Sequence, residues 1–306
     1  MSWKLFEEKH QIAIREPFIE KYKLTVIADI MAGSMSIKTK AEIRWEVKVK
    51  TVNDDGVDIE IITLDNQLIE TNNPMAKEMA LMSQAFSKMY SEINITLNDK
   101  YKIVHINNLD IIHKKWDWLK VELENIKNNN EAVQNVIEIN DQLFATPEKI
   151  KTAIENNEFF AIFFHHIYGT SIPNTMGTFP QKNLFNTAFI KWNYNTKLIT
   201  NIYMQPNYVD IEIEGFPNMS FDKNWVKEAY KNFSHLNVAE LKPKHTENGH
   251  YRIEQKTGKL LQATLERKEV VHPQLLHATI LYELISETAE NNKIVNKTKH
   301  QNSFVQ

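Results

Sequence analysis

Polar and apolar residues alternate strictly along residues 35–50, MSIKTKAEIRWEVKVK. The odd positions are apolar or nearly so, and the even positions are polar or charged. A period of two over such a length predicts one β-strand with a dry face and a wet face. At about 3.3 Å per residue the strand would span roughly 50 Å, which exceeds the usual strand length. We therefore expect a twisted, strongly curved antiparallel sheet whose concave side is covered by other elements.

The neighbouring segments extend this strand into a meander. Residues 24–31, LTVIADIM, predict a strand before it, and an Asp-Gly pair at 55–56 supplies the positive-φ residues of a tight hairpin after it. The return strand carries Val57, Ile59 and Ile61 at alternate positions. Three antiparallel strands with one shared apolar face are predicted.

A methionine-rich helix is predicted over residues 74–92. Asn73 is a suitable N-cap, and Pro74 suits the first helical position. An apolar stripe recurs at three- and four-residue steps: Met75, Met79, Met82, Phe86, Met89 and Ile93. Because methionine is flexible and polarizable, the stripe indicates either a helix that fills the concave side of the sheet or a pocket that re-packs around varied apolar ligands.

Two strands, 93–97 and 101–106, are predicted after this helix, and helices are predicted over 109–168, one of them capped by Thr146. A Pro/Gly/Thr-rich segment at 169–180 predicts a loop and a boundary. Later elements are strands at 185–192, 197–205 and 208–215, a helix at 221–234, a hairpin of 251–255 with 260–270, and a closing strand or helix at 272–285. The tail, 286–306, lacks apolar periodicity and is predicted to be disordered.

These elements predict an α+β fold, a strongly curved antiparallel sheet or half-barrel with helices packed on its concave apolar face. The predicted organisation is a curved-sheet half over 1–108, a helical insert over 109–168 and a second β-rich half over 181–285. The halves form one composite domain or two linked ones, since a chain of 306 residues can bury a sizeable core either way.

Composition narrows the function classes. Lys+Arg total 36 against 39 Asp+Glu, which argues against a nucleic-acid partner. The absence of cysteine excludes disulfides, thiolate catalysis and cysteine-based zinc sites. No apolar run approaches the ~20 residues of a membrane span, and no secretory leader pattern is visible, so we expect a cytoplasmic protein. The oligomeric state is left open.

The sequence contains no recognisable catalytic motif. The adjacent His165 and His166 would point about 100° apart on a helix, so they cannot share a metal as an i, i+4 pair does. Nucleophile-elbow, phosphate-loop, dinucleotide and zinc-protease motifs do not occur. We predict no catalytic residue, no metal and no cofactor. A hydrolase-like enzyme with a site near His165 and His166 is kept as an alternative.

Aromatic residues cluster around the turns of the 169–208 region, where they serve either as binding anchors or as strand packing. Together with Trp45 on the long strand and the methionine stripe, they complete the predicted binding set. Its members are Met75, Met79, Met82, Phe86, Met89, Trp45, Phe179 and Trp192.

The segment 24–108 resembles an uncharacterised family of bacterial lipoprotein-like proteins. The matching residues are MSIKTKAEIRWEVKVKTVNDDGVDIEII, Asn73-Pro74-Met75 and NITLNDKYKIVHINNLD, and the later YRIEQKTGKL hairpin is similar in style. That family in turn resembles the Lol-type lipoprotein carriers. The resemblance implies a curved half-barrel that wraps helices and holds an apolar ligand.

We accordingly expect a non-catalytic binding protein that holds an apolar small molecule or lipid, or an amphipathic segment of a partner protein. In the second case it would act as a cytoplasmic chaperone or adaptor for a secreted effector. An immunity protein that neutralises a toxin is the alternative, because such proteins are also non-enzymatic and poor in motifs.

Overall fold

An open antiparallel sheet of eleven strands dominates the computed structural model, which describes residues 10–126, 131–199, 207–233, 236–237 and 240–292. The strands in chain order are β1 His10–Ile12, β2 Phe18–Ala32, β3 Met35–Asn53, β4 Gly56–Thr71, β5 Glu92–Leu97, β6 Ile103–Ile106, β7 Thr170–Ile172, β8 Asn174–Lys182, β9 Phe189–Leu198, β10 Tyr208–Pro217, β11 Lys244–Glu254, β12 Leu260–His272 and β13 Leu276–Ser286. The predicted α+β fold with a curved open sheet is confirmed.

Two meanders build the large sheet. Its order is β6-β5-β4-β3-β2-β13-β12-β11-β10-β9-β8, and β1 pairs separately with β7. The first meander contains β2 to β6 and the second contains β8 to β13. They meet where β13 pairs with β2, from Ser286 opposite Tyr22 to Leu276 opposite Ala32. The division of the chain into domains stays a prediction.

In chain order, α1 lies within the first meander, α2 to α5 lie between the two meanders, and α6 lies within the second. They are α1 Pro74–Ser87, α2 Leu109–Ile126, α3 Glu131–Phe144, α4 Pro147–Glu155, α5 Glu158–Phe163 and α6 Lys223–Ala229, with short 3-10 turns at Lys88–Tyr90 and Lys231–Phe233. In the described part of the chain, no helix has the length and apolarity that a membrane crossing requires.

The long strand β3 has the dry face that its alternation predicts, but over only part of its length. Ile43, Trp45, Val47 and Val49 are buried, whereas Met35 near the start of the strand is 47% exposed. The pairing of β3 with β4 shifts register at three places, after Lys40, Arg44 and Val49. Each such irregularity adds local twist and bends the strand, so this pair curves instead of extending flat.

The aromatic helix α5 packs against side chains of β3 and β2. Its Phe159 ring packs edge-on against Trp45 with centroids 5.3 Å apart, and Phe163 packs against Tyr22 of β2 at the same distance. The sequence favoured the methionine-rich helix for this place. From that segment, Met89 in the turn after α1 is buried, and the side chains of Met79 and Met82 are outside the described ones.

Several local predictions need correction. The segment 169–180 is not a loop but forms β7 and most of β8, an edge strand, where Pro180 and Gly177 are tolerated because fewer ladder hydrogen bonds are required there. Strands were predicted at 185–192 and 197–205, but one strand, β9, begins within the first range and ends within the second. Residues 200–205 lie outside the described part. Residues 272–285 are a strand, β13, rather than a helix.

Helix caps show how far local sequence signals reach. Asn73 caps α1, since its side-chain oxygen accepts from the backbone N–H of Met75 at 2.9 Å. Asp222 caps α6 in the same way through the N–H of Trp225. Thr146 makes no side-chain cap bond, whereas Asn157, which was not predicted as a cap, caps α5 through the N–H of Phe160.

Of the predicted tail, residues 287–292 are helical and 293–306 lie outside the described part.

Candidate functional site

An apolar cavity of about 260 Å³ lies between the inner face of the first meander and the helices that cover it. We call it the inner cavity. Its lining residues come from β3, β4 and β5 on the sheet side and from the end of α1, the next turn, α3, α4 and the start of α5 on the other. They are Ile43, Trp45, Ile61, Thr63, Asn66, Phe86, Ser87, Met89, Tyr90, Ile93, Asn140, Leu143, Ala153, Asn157, Glu158 and Phe159.

The sheet wall of the inner cavity follows from strand alternation. Ile43 and Trp45 are on the buried face of β3, Ile61 is on the matching face of β4, and Ile93 is directly opposite Ile61 on β5. Opposite residues of antiparallel strands share a face, so these side chains form the apolar floor of the cavity. Phe159, only 1% exposed, closes one side of it.

The helical wall is aromatic and adaptable. Phe86 and Met89 come from the end of the methionine-rich segment, and Leu143 from α3. The ring of Tyr90 stacks on Phe144 with centroids 5.9 Å apart. Burial raises the pKa of the Tyr90 hydroxyl to about 12, so it stays protonated and neutral under ordinary conditions. Since methionine and aromatic side chains can re-pack around a guest, this wall suits ligands of varied shape.

Two polar residues interrupt the apolar floor. Thr63 pairs with Trp45, and Asn66 pairs with Ile43 after the register shift that follows Arg44, so both face inward. Within the described residues neither side chain has a hydrogen-bond partner, and both are half-buried. Glu158 is the cavity's charged residue, and no lysine, arginine or histidine is found among the described residues that line it.

The structure places some of the predicted binding residues at the inner cavity and others elsewhere. Trp45, Phe86 and Met89 line the inner cavity. Met75, at the start of α1, is 65% exposed and lies outside it. Met79 and Met82 belong to α1, but their side chains are not among the described ones. Whether these residues bind anything stays a prediction.

Phe179 and Trp192 form a separate aromatic group at the other end of the sheet. They are cross-strand partners on β8 and β9. Phe179 lies 4.1 Å from the ring of His166, and Trp192 stacks with Tyr194 at 6.3 Å. Trp192 is buried among these neighbours. Neither residue lines the inner cavity.

His165 and His166 lie beyond the end of α5, inside the second meander. The Nε2 atom of His165 is 2.9 Å from a carboxylate oxygen of Glu247, whose other oxygen is 2.7 Å from Nε of Arg267. Burial opposes ionisation of Glu247, but the contacts to His165 and Arg267 outweigh it and hold its pKa at about 2. Burial also lowers the pKa of His166, to about 2, so that ring is neutral. Glu247 and Arg267 form a buried ion pair, and the contact of His165 with Glu247 anchors the chain after α5.

A second, outer groove of about 500 Å³ runs between α1 and the end of β4. Its described lining is mostly polar: Gln67, Leu68, Ile69, Glu70, Thr71, Lys77, Ala80 and Gln84. It therefore offers less apolar surface than the inner cavity. Among the described residues, no group of three or more acidic or histidine side chains is placed to hold a metal ion.

Some residues that line the inner cavity could not be predicted from the sequence. The apolar positions on β3 and β4 and the α3 stripe that includes Leu143 carried a periodic signal. Phe159 was visible only as part of an apolar run, and nothing indicated that it would meet Trp45. Asn66 had no signal, because simple alternation from Ile61 places it on the outer face.

No protein-family model matches the chain, and no curated protein matches it. Among solved structures, one of lipovitellin that concerns lipid–protein interactions is similar, with a TM-score of 0.41 and 7% identity over 88% of this chain. The chain spans about a quarter, 25%, of the length of that lipovitellin chain. The resemblance to the bacterial lipoprotein-like family therefore stays a prediction, and function has to be argued from the inner cavity.

Proposed function

We propose that this protein binds a small apolar ligand in the inner cavity. The observation that carries the proposal is the composition of the lining: nine of its sixteen described residues are apolar, among them Ile43, Trp45 and Phe159, and they surround about 260 Å³ of space. Protein interiors are normally packed with few voids larger than a water molecule. An apolar cavity of ~150 Å³ is already large enough to bind benzene. A larger one of the same character suits a short acyl chain or a comparable hydrocarbon.

The size of the cavity favours a small molecule over a segment of a partner protein. An α-helix with its side chains is roughly 10–12 Å across and needs an open groove. The inner cavity is open to solvent on part of its surface, but its volume of about 260 Å³ is only about half of the roughly 500 Å³ that one turn of such a helix fills. The roles of chaperone, adaptor for a secreted effector and immunity protein remain predictions from the sequence.

The lining also favours binding over catalysis. General acid–base or nucleophilic chemistry requires a polar group within hydrogen-bond reach of another. His165 and His166, the enzyme alternative, point into the second meander and do not line the inner cavity. The contact of His165 with Glu247 has an obvious structural use in holding the chain after α5.

Fluorescence of N-phenyl-1-naphthylamine, a neutral apolar probe, tests the proposal. Ala153 of α4 lines the cavity, so Ala153→Phe should fill it without removing any core side chain. The wild-type protein should bind the probe saturably, and Ala153→Phe should lose that binding. Thr152→Phe adds the same ring to the exposed side of the same helix and should leave binding unchanged.

Circular dichroism of all three proteins shows whether each is folded. Equal probe binding by wild type and Ala153→Phe, with both folded, would contradict ligand binding in the inner cavity. Absence of saturable binding by the wild type would do so as well.

A further inference from the structure

We infer that the inner cavity takes a neutral amphiphile, an apolar chain ending in a hydroxyl or carbonyl group, in preference to the anion of a fatty acid. The inference rests on the proposed function and adds the charge and the head group of the ligand. It follows from two features of the lining, the sign of its charge and the position of its polar side chains.

The charge of the lining disfavours anions. Glu158 stands at the start of α5 and, among the described residues that line the cavity, there is no cationic side chain to set against it. Within the described part of the chain Glu158 has no ion-pair partner either. A carboxylate brought into an apolar site loses its hydration, and only a paired cation or several hydrogen-bond donors can compensate. A fatty-acid anion would find neutral donors such as Asn66 but no cation among the described lining residues, and it would lie near the exposed carboxylate of Glu158.

The polar side chains suit a neutral head group. Thr63 and Asn66 face inward from β4 beside the apolar floor formed by Ile43, Trp45 and Ile61. A carboxamide offers two donors and one acceptor, and a hydroxyl offers a donor and an acceptor. Both side chains can therefore bond a ligand hydroxyl or carbonyl without any change of charge. Since neither side chain is bonded within the described part of the protein, both are available to a ligand of this kind.

A purely structural role for Asn66 would show in its bonds, as it does for another asparagine of this protein. The side-chain oxygen of Asn183 accepts from the backbone N–H groups of Thr187 and Ala188 at 2.8 and 3.0 Å, which holds the turn between β8 and β9. Among the described residues, the Asn66 side chain makes no bond of this type. Its amide is therefore left for a guest in the cavity.

Displacement of N-phenyl-1-naphthylamine by octanol and by octanoate at neutral pH tests the charge preference. The two ligands share a chain length, and octanoate is ionised under these conditions. Octanol should bind at least about tenfold more tightly, because an unpaired carboxylate costs well over the ~1.4 kcal/mol that corresponds to a factor of ten.

Asn66→Leu tests the head-group contact, with toluene as a ligand that has no polar head. The variant should bind octanol roughly 3–10-fold more weakly, the loss of one neutral hydrogen bond, and toluene with unchanged affinity. Gln67→Leu, the next residue on the opposite face of β4, is the matched control and should change neither.

The outcomes separate the two proposals. If octanoate binds as tightly as octanol and Ala153→Phe blocks both, the neutral-ligand inference is wrong and the proposed function stands. If Asn66→Leu leaves octanol affinity unchanged, Asn66 is not the head-group partner. If none of the ligands displaces the probe because the wild-type protein never binds it, the proposed function itself fails.

Discussion

Phe159 of α5 rests edge-on against Trp45 of β3, with ring centroids 5.3 Å apart and planes inclined by 72°. This contact joins the helical insert to the longest strand of the sheet, and both rings border the inner cavity. It therefore contributes to stability and to the shape of the proposed binding site. An edge-to-face pair adds about 0.5–1.5 kcal/mol beyond the burial of its surface.

Phe159→Ala is expected to lower the free energy of unfolding by about 3–5 kcal/mol, because it removes a fully buried ring that also packs against Phe163 at 4.8 Å. Urea unfolding followed by tryptophan fluorescence measures the change. Phe189→Ala is the matched control, since that ring is 60% exposed and its loss should cost less than about 1 kcal/mol. A cost for Phe159→Ala as small as that of the control would show that α5 does not seal the sheet.

The Glu247 ion pair predicts acid-dependent stability. Its pKa lies at about 2 in the folded state, below the ordinary value of 4.5. A carboxyl with a lowered folded-state pKa stabilises the fold above its unfolded pKa, and that contribution is lost as the pH falls through the folded value. The free energy of unfolding of the wild type should therefore fall between about pH 4.5 and pH 2, and Glu247→Gln should lack this component of the fall.

At neutral pH Glu247→Gln should be less stable by roughly 3–5 kcal/mol, because it leaves His165 and Arg267 without their buried carboxylate. Glu212→Gln breaks a solvent-exposed pair with Lys197 and should cost less than about 1 kcal/mol. Urea unfolding at a series of pH values measures both effects. Identical pH profiles for wild type and Glu247→Gln would contradict the ion-pair assignment.

Gly258 is expected to tolerate no side chain. Its φ is +74°, and a Cβ atom there would lie 1.9 Å from the carbonyl oxygen of Ala13. Gly258→Ala should therefore lower the thermal midpoint and cost at least about 1–3 kcal/mol. Gly177→Ala on edge strand β8 is the control, because no atom lies within 4 Å of its Cβ position. Equal midpoints for the two variants would show that the β11–β12 turn does not press against the N-terminal segment.

A ligand of the inner cavity should stabilise the fold by mass action. At a free octanol concentration of 100 times its dissociation constant the gain is about 2.7 kcal/mol, and the thermal midpoint should rise with concentration. Differential scanning fluorimetry measures this rise. Ala153→Phe should show none, while Thr152→Phe should respond like the wild type. A shift of equal size in Ala153→Phe would indicate binding elsewhere.

Much of the fold was predictable because it rests on local patterns. A period of two along β3 and β4 set which residues share a face over most of their length. The hairpin between them forms where it was predicted, but its loop residues are Asp54 and Asp55, and Gly56 is the first residue of β4. The cap of α1 at Asn73 was equally local. The candidate site was only partly predictable, since Trp45, Phe86 and Met89 line the cavity but Met75, Phe179 and Trp192 do not.

By itself, the sequence determined the strands, their apolar faces and the kind of surface that must be covered. The tertiary structure decided that Phe159 of α5 covers Trp45 of β3, because that contact depends on packing between elements distant in the sequence. It also decided that Asn66 faces inward. A register shift between Arg44 and Trp45 places Asn66 opposite Ile43, and the next shift, between Lys40 and Ala41, reverses the alternation again. Such shifts depend on the pairing of two strands and not on either one alone.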